Sequence, residues 1–236
     1  NRLIFSTRTE QALTLSGYGA WRINADDFRI SIANDKKRDW VLAATINNAS
    51  AGQDQTNTQA SLGSLVFDLA PEEADKTILT LNLHVTDATV VEKGMEPLHL
   101  DKLQTVLSAT QAHAAGDTNT WRNAGGKLLI KGFFTQVDDA RFAANGHLGL
   151  DYNGYLTGEI KTETIAPAAL VHLLGKAGAM STDDAEAAAA SLTLATIASG
   201  GKLTAPIELK DGAAHLAGVK LADLPQASVL NYSAAD

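Results

Sequence analysis

Histidines, paired carboxylates and serines are the groups with which this chain could do chemistry at neutral pH. The histidines are His84, His99, His113, His147, His172 and His215. No two lie three to five residues apart, so a helical face with two metal-binding imidazoles is absent. His172 sits among Ala169, Leu170, Val171, Leu173 and Leu174, the setting of a packed histidine. Adjacent carboxylates occur at Asp26-Asp27, Glu72-Glu73, Asp138-Asp139 and Asp183-Asp184. Glycosidase-type chemistry needs two carboxylates held across a cleft. Neighbours on a strand point to opposite faces. All four pairs are expected at turns or helix starts, where carboxylates bond backbone N–H groups.

Motifs that would reveal a reaction are missing. No G-x-S-x-G elbow, no phosphate-cradling G-x-x-x-x-G-K-[ST] and no dinucleotide-binding G-x-G-x-x-G occurs. The pairs Gly126-Lys127, Gly175-Lys176 and Gly201-Lys202 stand outside any such pattern. There is no cysteine, which removes thiol catalysis, thiolate metal sites and disulfides. The expectation is a non-enzymatic protein with no catalytic residue, no cofactor and no metal.

Charge narrows the partners. With 19 Lys and Arg against 27 Asp and Glu, the net charge is −8. Nucleic-acid binding draws on clustered cations, and the densest basic run, Lys36-Lys37-Arg38, is followed at once by Asp39. No nucleic acid is expected. No stretch of 18 apolar residues is present to span a bilayer as a helix. The chain begins at Asn1 and enters a strand-like run at once, so a targeting segment is expected upstream of Asn1.

Strands must position whatever site exists. At 45% hydrophobic and 19% charged, the composition is that of a folded globular protein. The stretch Gly125–Lys161 reads as three consecutive antiparallel strands. In it Leu128, Ile130, Gly132 and Phe134 alternate with Leu129, Lys131, Phe133 and Thr135, and Asn153-Gly154 marks a hairpin turn. Upstream, Leu79, Leu81, Leu83 and Val85 alternate with Thr80, Asn82, His84 and Thr86, giving one greasy and one wet face. The polar run Asn47–Gln59 reads as a loop. Pro97 reads as opening an amphipathic helix through Leu100, Leu103, Val106 and Leu107 that closes near His113. Two further helices are expected, Ala168–Lys176 and Thr182–Ala198, the second capped by Ser181 and stopped by Gly200-Gly201. The three tryptophans, Trp21, Trp40 and Trp121, read as core.

Strands adjacent in sequence pair antiparallel, and helices come in two groups. The expected fold is therefore α+β: a large, curved, mostly antiparallel sheet of roughly ten strands with about three helices packed against it. Residues 1–227 form a single β-rich domain, with a candidate subdivision near residue 115, and 228–236 a tail.

Trp121, Gly125-Gly126, the strand Gly146-x-Leu148-x-Leu150-Asp151, Gly158-Glu159-Ile160 and the closing Leu203-x-x-Pro206-Ile207-x-Leu209-x-Asp211-Gly212 follow in order, ending in Leu221–Pro225. In these features the chain resembles an alphaproteobacterial envelope family known as domain of unknown function 2125. The resemblance runs from Trp121 to Pro225. It implies an N-terminal membrane anchor or signal upstream of Asn1, a periplasmic, envelope-attached location and no established catalytic residues. Two functions are in view. The first is binding of a lipid or other apolar ligand along the greasy sheet face, lined by Leu79, Leu81, Leu83, Val85, Leu148 and Leu150. The second is an accessory or scaffold subunit of an envelope protein complex.

Overall fold

A computed structural model of the chain describes residues 2–7, 11–15, 19–53, 58–92, 94, 96–176, 181–216 and 219–227. The expected tail lies outside them. Among these residues thirteen strands form one sheet. They are β1 Arg2–Thr7, β2 Gln11–Leu15, β3 Gly19–Asp35, β4 Asp39–Gln53, β5 Thr58–Pro71, β6 Leu79–Val91 and β7 Leu98–Ala109, then β8 Leu128–Val137, β9 Ala140–Leu150, β10 Leu156–Ile165, β11 Leu203–Lys210, β12 Ala213–Leu216 and β13 Val219–Asp223. From β3 onward each strand pairs antiparallel with the next, while β1 and β2 both pair with β3. Apart from the β1–β2 pair, strands adjacent in sequence are neighbours in space, most of them joined by short connections.

Three helices interrupt the meander: α1 Thr118–Asn123, α2 Pro167–Lys176 and α3 Thr182–Ala198. Ser181 caps α3, its hydroxyl accepting from the Asp184 N–H at 3.2 Å. α2 and α3 pack on each other around Val171, Ala185 and Ala189, and α2 meets the sheet at β9.

Two sequence expectations are corrected. Pro97 opens strand β7, not a helix. The spacing of Leu100, Leu103 and Leu107 mimics a helical stripe because the apolar parity of this strand changes partway along. Asn47–Gln59 is mostly strand: β4 runs on to Gln53 and β5 begins at Thr58. Its polar residues alternate with Ala49, Ala51 and Ala60, so small apolar side chains carry the pattern that larger ones carry elsewhere.

The connections also differ in detail. β9 and β10 are joined by a five-residue loop, not a two-residue turn on Asn153-Gly154. The Asp151 carboxylate accepts from the Asn153 and Tyr155 N–H groups, both at 2.9 Å, and Gly154 takes φ 82°, which glycine adopts at no steric cost. Two-residue loop geometry falls instead at Asp138-Asp139, between β8 and β9, with Asp138 at φ 49°. In β8 the expected alternation breaks at a bulge between Ile130 and Phe133. Leu128, Ile130, Phe133 and Thr135 share one face, and Lys131 is turned out to the other.

Candidate functional site: a charge-free sheet face

Register assigns every strand residue to a face, because directly opposed residues project to the same side. One transverse row runs Phe28–Ile46–Leu65–Val85–Leu103–Thr135–Phe142–Thr164–Leu203. The next is Ile30–Ala44–Phe67–Leu83–Thr105–Phe133–Ala144–Thr162–Ala205, and the third is Ile32–Leu42–Leu69–Leu81–Leu107–Ile130–Gly146–Ile160–Ile207. No charged residue occurs in any of them. Threonine is the one polar type, and it too is turned inward: Thr105 donates to the Gly132 carbonyl at 3.2 Å and Thr162 to that of Ala205 at 2.6 Å. The opposite face is wet. One of its rows reads Arg29–Thr45–Val66–His84–Gln104–Phe134–Ala143–Glu163–Thr204.

The six lining residues expected from sequence lie on the greasy face, in two groups. Leu79, Leu81, Leu83 and Val85 are on β6, and Leu148 and Leu150 on β9. Leu79 and Leu148 share a row through Ala109 and Leu128, three strand spacings or about 14 Å apart. Val85 is buried and the other five are partly exposed. The lining expected from sequence left out residues that complete the face: Phe28, Ile30 and Ile32 on β3, Phe67 on β5, and Leu103 and Leu107 on β7. The β7 pair falls in the stretch whose spacing reads as a helix.

This face is incompletely covered. Among the described residues the buried apolar set is mostly alanine; only Val85, Val137, Val171 and Leu209 are larger. Exposure grows toward the β1 edge: Ile30 is 36% exposed, Ile32 48%, Phe5 55% and Leu3 72%. Packed interiors leave few such side chains in water, so the greasy surface is a lining as much as a core.

A crease crosses the sheet below these rows. Opposed pairs are formed on both sides of it but interrupted at one residue of each of five successive strands: Asp26, Asn48, Gly63, Asp87 and Asp101. Asn48 and Asp87 take left-handed φ values of 46° and 53°, a conformation that Asn and Asp tolerate better than other residues with a side chain. The Asn48 amide donates to Asp26 at 2.9 Å. The Asp87 side chain lies over Gly63, where a Cβ would be 3.0 Å from it.

At the crease the apolar parity of each strand switches. It changes from Trp21, Ile23 and Ala25 to Phe28 and Ile30 in β3, and from Leu83 and Val85 to Ala88 and Val90 in β6. A polar doublet marks each switch: Asp26-Asp27, Asn47-Asn48, Gly63-Ser64, Thr86-Asp87 and Asp101-Lys102. Both doublet members share the wet side, as at a β-bulge, but no strand gains a residue on its neighbour. Asp26-Asp27 is therefore a mid-strand feature, not the turn expected for it. The doublets are a readable signal that alternation analysis passed over.

On the wet face the Glu72 carboxylate receives the hydroxyls of Thr80 at 2.8 Å and Ser108 at 3.3 Å, and an ion pair from Lys131. Hydrogen bonding from Lys131, then from Thr80, holds its carboxyl below the usual range. This cluster pins the bulged residue of β8 and presents no activated nucleophile. Among the described residues no three His, Asp or Glu side chains converge as metal ligands, and no helix is long and apolar enough to cross a membrane.

Fold and site together define a class: an open antiparallel meander with one continuous uncharged face. The chain belongs to the family described as an uncharacterized protein conserved in bacteria (DUF2125), whose model matches residues 2–225. That match extends well upstream of Trp121, where the sequence resemblance began. No curated protein and no solved structure matches the chain.

Proposed function

We propose that this protein holds the hydrocarbon part of a lipid, or another linear apolar ligand, against the greasy face of its sheet. The observation carrying the reading is the three adjacent nine-strand rows without a charge, left partly exposed instead of sealed under helices. Burial of a methylene contributes about 0.8 kcal/mol. Roughly a dozen methylenes laid along the rows thus supply about 10 kcal/mol before ordering costs, the scale of micromolar affinity. No charged group on these rows selects a headgroup, so the ligand is recognised through its chain. The family resemblance supports an envelope location, where such ligands are abundant.

A second reading, an accessory subunit of an envelope complex, draws on β1. This edge strand exposes Leu3, Ile4 and Phe5, and exposed apolar edges recruit partner strands.

Solvent extraction of the purified protein followed by mass spectrometry tests the first reading. A lipid recovered near one equivalent is the expected result. Recovery of no lipid, with no saturable uptake of added fatty acid, overturns it. For the second reading, a pull-down from solubilised envelope that recovers no partner removes its support.

A further inference from the structure

The wet face carries a concavity that the apolar reading leaves unused. The β8 bulge pushes Lys131 outward, and β9 and β10 approach so closely beside it that a Cβ on Gly146 would lie 2.1 Å from the Glu159 carbonyl oxygen. The resulting groove, about 670 Å³, is lined on its polar side by Lys127, Lys131, Asn145, His147, Glu159 and Lys161. Three lysines thus line the groove beside one acidic residue, in a chain whose net charge is −8.

Their partners differ. Lys131 is held by Glu72. Among the described residues no carboxylate lies within 4.0 Å of the ammonium group of Lys127 or Lys161, although Lys176, Lys202 and Lys210 each have one. Lys161 lies directly opposite Asn145, whose amide can donate to the same ligand. Unpaired cations gathered around a groove repel one another until an anion joins them. The volume exceeds that of a bare oxyanion and falls within the range of small-molecule sites.

We infer that this groove binds a small organic phosphate. Its phosphate group lies between Lys127, Lys131 and Lys161 and accepts from Asn145, and its organic body fills the remainder. Glu159, opposite His147 in the register, opposes the anion and limits its affinity. The groove lies across the sheet from the greasy face, so it is independent of lipid binding.

Calorimetric titration of the full chain with pyrophosphate at low salt tests this. Saturable one-to-one binding is expected. Lys127→Met with Lys161→Met weakens it about thirtyfold, on Coulomb's law for two charges at contact distance in water. Lys202→Met, whose ammonium pairs with Glu163 at 2.6 Å outside the groove, leaves it unchanged. Glu159→Gln removes the repelling charge and tightens binding about threefold, a gain that a folding defect cannot imitate. Absence of binding by the unaltered protein overturns the assignment. So does equal weakening by Lys202→Met, or a Glu159→Gln variant that binds no more tightly.

Discussion

Gly126 lies against the indole of Trp121 so closely that a Cβ at this position would stand 2.2 Å from Nε1. The indole N–H in turn donates to the Thr110 carbonyl at 2.7 Å, and the Thr110 N–H donates to the Lys127 carbonyl at 2.8 Å. The tryptophan thereby locks α1 over the β7–β8 connection, and the glycine makes room for it. Gly126→Ala is expected to destabilise the protein by about 1–3 kcal/mol, the usual cost of overpacking. Urea denaturation measures this, and an unchanged midpoint would sink the steric account.

Glu72 links pH to stability. Its carboxyl is held below the ordinary range by Lys131, Thr80 and Ser108. A depressed folded-state pKa contributes stability above the unfolded value, near 4.5, and that contribution is lost as pH falls through the folded-state value. Glu72→Gln is therefore less stable than the parent at pH 7, and the two converge in acid. Denaturation midpoints of both proteins across this window are the check. A gap that widens on acidification contradicts the linkage.

The crease makes opposite predictions for two kinds of substitution. Asn48→Val and Asp87→Val place β-branched side chains at φ 46° and 53° and are each expected to cost about 1–2 kcal/mol. Asn48→Gly accepts the same φ without that strain, and loses mainly the bond to Asp26 and chain entropy. Thermal unfolding of the three variants should place Asn48→Gly above both valines. The reverse order would mean that the left-handed conformation does not set the cost.

Charge placed on the greasy face should abolish ligand uptake without unfolding the sheet. Ile30 and Ile32 are already 36% and 48% exposed, so lysine there can reach water. Titration with a fluorescent fatty acid is expected to show at least tenfold weaker uptake by Ile30→Lys with Ile32→Lys. Val66→Lys, on the wet face and 47% exposed, serves as the matched control and should bind as the parent does. Equal loss in both variants would point to a general charge effect.

Period-two patterning was legible wherever large apolar residues alternate with polar ones, as in Leu79–Val85 and in the strands around Leu148 and Leu203. The α2–α3 pair was legible from Pro167, Ser181 and Gly200-Gly201, whose backbone preferences are local. Two features were not. In β7, Leu100 and Leu103 straddle Asp101, and a strand that changes parity over three residues imitates helical spacing. In β4, alanine stands where leucine stands elsewhere, so the apolar half of the pattern is too weak to outweigh Asn47, Asn48 and Ser50. Both failures fall at or beside the crease, because left-handed or interrupted pairing is a property of neighbouring strands acting together. The face was legible in one strand at a time; its width, and the absence of charge across nine strands, needed the register.

The doublet row from Asp26 to Asp101 also constrains how the chain can change length. Losing one residue from a single strand at this row would turn every oily side chain beyond it outward, out of step with both neighbours. Only matched losses in all the strands that share the row would restore agreement. Indels in this family should therefore collect in the connections between strands, while the spans through Asn48, Gly63 and Asp87 keep a fixed residue count.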